Sequence, residues 1–196
     1  MPLFFFYKKV GEFMKKTTKE KKNKLIDWNW ILVVSIVAFL LSLLFSFIGE
    51  TVIPNVHLVI SIILLLVFIL LGIIFDIVGV AVTVADISTF NSMASKKVKG
   101  ADLAVRFIKN SNKVSSFLND VVGDVCGVVS GSTGIAIALQ LNAAFNVNLL
   151  IVTLLITAIV STLTIGGKAI GKSFAINKGN EILYGFVRVI HVFYRR

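Results

Sequence analysis

Four apolar runs divide the chain, at about 30–48, 58–85, 121–141 and 149–167, and each is long enough to cross a bilayer as a helix. The run that begins at Leu58 organises the rest. Its first 18 residues, LVISIILLLVFILLGIIF, carry no charge, which is membrane-span length rather than core-helix length. Asp76 then interrupts the continuing apolar sequence. At helical spacing Gly72, Asp76, Gly79, Thr83 and Asp86 fall four, three, four and three apart, on one stripe of a helix whose remaining surface is Ile, Val, Leu and Phe. Such a stripe turns toward protein or water while the greasy side turns to lipid.

Two later runs repeat the pattern. Asp120, Asp124, Gly127, Gly131 and Gly134 share one stripe of the third, where Gly123, Gly127 and Gly131 also make two overlapping GxxxG units. Thr153, Thr157, Ser161, Thr164 and Lys168 share one stripe of the fourth. In the first run only Ser35, Ser42 and Ser46 are polar, and serines satisfy themselves on their own helix. Converging stripes predict a polar bundle interior that holds Asp76 and Asp124 near one end, with Lys168 at the mouth, where it either pairs with them or snorkels to headgroups. Close helix packing is expected through Gly79 and the Gly123, Gly127 and Gly131 face, within one subunit or across a dimer.

Between these runs, FNSMASKKVKG extends the second helix to a stop at Gly100, and ADLAVRFIKNSNKVSSFLND is expected as a second, amphipathic helix returning to the membrane. A juxtamembrane helix is expected over about 178–194. Residues 1–27 read as a basic tail with an amphipathic start, followed by Trp28 and Trp30 as an interfacial belt; 28–196 form the membrane domain. Pro54 and His57 belong to a short turn.

Composition changes the picture in one respect. At 57% hydrophobic and a mean hydropathy of +0.92 the chain exceeds the ~45–50% apolar content of soluble domains. Its net charge of +10 therefore has to be read by position. All 20 Lys and Arg residues lie in the tail, in 86–120, or from Lys168 onward, and the other two connections have none. The positive-inside rule then gives four spans in a cell membrane, with both termini cytoplasmic and the 86–120 segment a cytosolic helical hairpin. The basic excess is an orientation signal and a contact for anionic inner-leaflet lipids; nucleic acid is not expected as a partner, since no reading surface accompanies it. The single cysteine, Cys126, excludes an internal disulfide, and with His57 and His191 on opposite sides no nucleophile and base pair up, so no enzyme is expected.

Three segments carry a family resemblance. GVAVTVADISTFNSMASKKVKGADLA, KNSNKVSSFLNDVVGDVCG and TLTIGGKAIGKSFAINKGNEILYGFVRVIHVFYR resemble, in order, parts of the transmembrane domain of the CorB/CorC (CNNM-like) Mg²⁺/Co²⁺ transporter family. The likeness spans about 58–196, and the family's cytosolic CBS domains are not expected here. Gly123-Asp124 stands where the family has Gly-Asn. In the Gly167 to Ala175 segment Lys168 stands for its Glu and Gly171 for its Pro. The resemblance implies a homodimeric all-α bundle that moves Mg²⁺ or another divalent cation, with oxygen ligands in the membrane. A hard cation would find them here in Asp76, Asp124, Thr83 and Ser130. The competing expectation is a non-transporting scaffold or regulatory subunit, with a membrane partner, in which a buried Asp–Lys pair replaces the ion.

Overall fold

Asp86 ends one helix and starts the next. Ala85 leaves helical geometry for extended backbone, and the Asp86 side chain accepts hydrogen bonds from the N–H groups of Ser88 and Thr89, satisfying orphan donors of the following turn. This is the first departure from the expected order, for the second long helix does not run on to Gly100. In the computed structural model, which describes residues 28–52 and 56–194, the elements are α1 (Trp28–Val52), α2 (Leu58–Val84), α3 (Ile87–Ser95), α4 (Ala101–Lys109), α5 (Ser111–Ser116), a π-helical segment (Phe117–Gly123), α6 (Asp124–Phe145) and α7 (Leu149–Tyr194). The basic tail 1–27 and Pro54 lie outside the described residues.

All regular structure among the described residues is helical, and four helical stretches are long and apolar enough to cross a membrane: Trp28–Phe47, Leu58–Val84, Ser111–Phe145 and Leu149–Val192. The chain is a membrane protein of helical-bundle type.

Gly100 is not the end of a helix but the residue before α4, at φ +86, a left-handed conformation that glycine adopts without steric cost. The stop after α3 falls on Lys97, also left-handed, with the Val98 N–H closing back on the Met93 carbonyl at 3.0 Å. The amphipathic helix expected over 101–120 is divided at Asn110, whose side chain donates to the Arg106 carbonyl; its second half runs straight through the π-helical segment into α6. The third long helix therefore begins ten residues before the expected 121. At the other end, Asn146 is left-handed and Asn148 accepts from the N–H groups of Leu150 and Ile151, so two asparagines make the turn into α7. The expected fourth span and juxtamembrane helix are one element, broken only at Lys178 (φ −124, ψ 30).

Two cores hold these helices. Leu65, Ile69, Ile137 and Val160 pack α2, α6 and α7 together toward one end. At the other, Phe90, Ala104, Val105 and Phe107 of the short helices close on Val78, Val82, Leu118, Leu183 and Val187. Fully burying a side chain such as Phe90 or Leu183 stabilises by ~1.5–3 kcal/mol, which anchors α3 and α4 to the bundle. Helix α1 stays peripheral: none of its most apolar window is buried, and Phe45 meets Phe68 of α2 edge to face at 6.1 Å.

Helix α7 packs closely on α2 through small residues. Gly167, Gly171, Ala175 and Gly179 recur every four residues along α7, and α2 lays Ile73, Ile77 and Val84 against the three glycines. A Cβ on Gly171 would fall 2.5 Å from Ile77 Cγ1, so only small residues permit this approach.

Candidate functional site

Tight packing of α7 on α2 brings Lys168 and Lys172, each one position beyond a packing glycine, alongside Asp76. Asp76 lies between Ile73 and Ile77, the two knobs seated on Gly167 and Gly171, and only 5% of its side chain is exposed. Lys168 Nζ stands 4.0 Å from Asp76 Oδ1 and 3.5 Å from Asp124 Oδ1, bridging carboxylates of α2 and α6. Lys172 Nζ stands 3.8 Å from Asp76 Oδ2, an oxygen that accepts no hydrogen bond among the described residues. Two carboxylates and two ammonium groups thus make a four-charge cluster that sums to zero, in which Asp76 is the nearly buried member and its pairing is how such a charge is tolerated.

Glycines make room for it. Gly72 allows α2 to approach α6, since a Cβ there would lie 3.2 Å from Cys126 Cβ and 3.4 Å from the Gly123 carbonyl oxygen. A Cβ on Gly123 would in turn lie 3.6 Å from Lys168 Nζ. The π-helical segment passes just here. Its Asn119 presses on Gly79 so closely that any side chain at 79 would collide with the carboxamide, and Asn119 Oδ1 is buried without a hydrogen-bond donor among the described residues.

The structure therefore gathers Asp76, Asp124 and Lys168, and leaves other expected site residues apart. Thr83 is exposed and donates to the Val80 carbonyl of its own helix. Ser130 is buried, but its hydroxyl donates to the Cys126 carbonyl at 2.7 Å. Asp86, from the same stripe as Asp76, is spent on capping α3. Gly79 and Gly123 do pack as close-approach positions, whereas nothing among the described residues lies within 4 Å of where a Cβ on Gly127 or Gly131 would be. The GxxxG face of α6 is not the seam of this subunit. Nor is the interior polar along its length: between Ser61, which donates to Gln140 Oε1, and Asp76, α2 buries Leu65 and Ile69, and the Thr157 and Thr164 hydroxyls donate to their own helix. Among the described residues no three His, Cys, Asp or Glu side chains gather in one place.

Lys172 and the α7 glycine register escaped the sequence reading, although Gly-x3-Gly-x3-Ala-x3-Gly from Gly167 to Gly179 was a legible signal. Outside the bundle, Asp86 has a second peculiarity. The Thr89 hydroxyl, then the Ser88 hydroxyl and the two backbone N–H groups, hold its carboxyl well below the usual carboxylate range. Its own N–H donates to Asn180 Oδ1 at 2.8 Å, tying the α2–α3 corner to α7. No family model, curated protein or solved structure matches this chain.

Proposed function

We propose that this chain is a non-transporting membrane subunit, a scaffold or regulatory partner, built on a bundle akin to the CorB/CorC transmembrane domain, in which a tethered lysine cation stands in for the divalent ion. The observation that carries this reading is the position of Lys168 Nζ, 4.0 Å from Asp76 Oδ1 and 3.5 Å from Asp124 Oδ1. A hydrated Mg²⁺ held by one or two carboxylates needs the space between them, and an ammonium group already neutralises it. Lys172 strengthens the argument, since Asp76 keeps a cation even when Lys168 moves.

In this reading both termini and helices α3 and α4 are cytoplasmic, because the basic residues follow them, and the connection from α1 to α2 and the turn at 146–148 are external. Asp76 then lies roughly 27 Å along α2 from Leu58 at ~1.5 Å per residue, near the inner edge of a ~30 Å hydrocarbon core if the helix is upright and deeper in the core if it tilts. The exposed cationic surface favours anionic inner-leaflet lipids, and the open Gly127 and Gly131 face suits a second membrane helix, from another copy or a partner subunit. Proteoliposomes loaded with a Mg²⁺-sensitive dye test the function: the purified chain gives no uptake above protein-free vesicles, and saturable Mg²⁺ or Co²⁺ uptake overturns the reading.

A further inference from the structure

Where α7 breaks at Lys178, the surface opens into a recess of about 210 Å³ beside the last turn of α2, large against the ~30 Å³ of one water. Gly179 creates it by letting α7 close on α2: a Cβ there would fall 2.5 Å from Val84 Cγ2. One wall is apolar, made by the exposed side chains of Val84 and Ile176, and the other is polar, made by Asn177, Lys178, Asn180 and Glu181. Exposed Ile170 and Phe174 precede it on α7, and the polar run Asn177 to Glu181 begins with it. The recess thus lies where the exposed surface of α7 changes from apolar to polar, the pattern expected at a boundary between hydrocarbon and headgroups.

Its charge is balanced. Lys178 Nζ and Glu181 Oε2 are 3.6 Å apart and both largely exposed, a pair whose net worth is only ~0–1 kcal/mol and which opens readily to better partners. We infer that this recess is a binding site for a phospholipid whose headgroup carries both a phosphate and a primary ammonium, as in phosphatidylethanolamine. The phosphate pairs with Lys178, the ammonium donates to Glu181, and the first carbons of the acyl chains lie along Val84 and Ile176. An anionic headgroup without an amine satisfies Lys178 but meets Glu181 as a like charge, and a quaternary ammonium has no N–H to donate. The inference stands independently of what Lys168 does.

Native mass spectrometry of the delipidated full chain in detergent, titrated with short-chain phosphatidylethanolamine, phosphatidylcholine or phosphatidylglycerol, tests it. Phosphatidylethanolamine is expected to bind at one saturable site about three- to tenfold tighter than the other two, the scale of one or two exposed charge-assisted contacts. Lys178→Ala weakens binding of all three, since each carries the phosphate, whereas Glu181→Gln erases the preference over phosphatidylcholine and shifts binding toward phosphatidylglycerol. Equal binding of all three by the wild type, a wild-type preference for phosphatidylglycerol or phosphatidylcholine, a preference for phosphatidylethanolamine that survives Glu181→Gln, or binding unaffected by Lys178→Ala overturns the assignment.

Discussion

Lys168 and Asp76 meet at 4.0 Å across the glycine-lined seam of α2 and α7, the lysine ammonium on α7 and the nearly buried carboxylate on α2. Lys168 also stands 3.5 Å from Asp124, yet the Asp124 side chain is 70% exposed. Burial, not the half-ångström, decides which contact matters, because an exposed pair is screened and a desolvated one is not.

A double-mutant cycle on thermal or denaturant stability in detergent separates the two. Lys168→Ala with Asp76→Ala is expected to show a coupling of about 1–3 kcal/mol, and Lys168→Ala with Asp124→Ala less than ~1 kcal/mol. Equal couplings would mean that Asp124 is as desolvated as Asp76 once the membrane surrounds it.

Glycine substitutions read the packing. Gly171→Leu drives a side chain into Ile77, and overpacking of this kind costs about 1–3 kcal/mol, with a lower melting temperature. Gly127→Leu meets open space within the subunit and leaves the stability of the isolated chain unchanged. A melting-temperature loss from Gly127→Leu that grows with protein concentration would instead reveal association through α6.

The long helices were legible because a membrane span is a matter of length and apolar content alone, and Leu58–Val84 met both conditions. Helix ends between spans were not. Asp86 sat on the same stripe as Asp76, and periodicity cannot tell a carboxylate that faces a neighbour from one that caps the next helix. Lys168 and the two aspartates were found from intramembrane charge. Gly79 and Gly123 were expected to pack and do, but the α7 glycines were missed for a different reason: two GxxxG-type repeats compete, one on α6 and one on α7, and the β-branched knobs Ile73 and Ile77 lie against the second.

Asp86 gives a pH signature. A carboxyl held below its ordinary range contributes its full stabilisation above the unfolded value near ~4 and loses it as pH falls from there through the lowered folded value. Hydrogen exchange at the Ser88 and Thr89 amides is therefore expected to stay slow at pH 4, and to be faster in Asp86→Ala wherever the wild-type carboxyl is ionised. Amides equally fast in wild type and variant at pH 6 would remove the cap from the account.

Orientation rests on the absence of Lys and Arg from two connections. Reporter fusions at residue 53 and in the 146–148 turn are expected to read as external, and a fusion after Lys97 as cytoplasmic. A cytoplasmic signal from either turn would remove a span.

The measurement that bears most directly on the tethered-cation claim is calorimetric titration of the purified chain with Mg²⁺, Mn²⁺ and Co²⁺, run in parallel on Lys168→Met. Lys172 keeps Asp76 paired in the variant, so the fold is retained while the space beside Asp124 is freed. No binding to the wild type and measurable divalent binding to Lys168→Met is the predicted result. Stoichiometric binding to the wild type, abolished by Asp76→Ala, would contradict it and return the chain to the transporters.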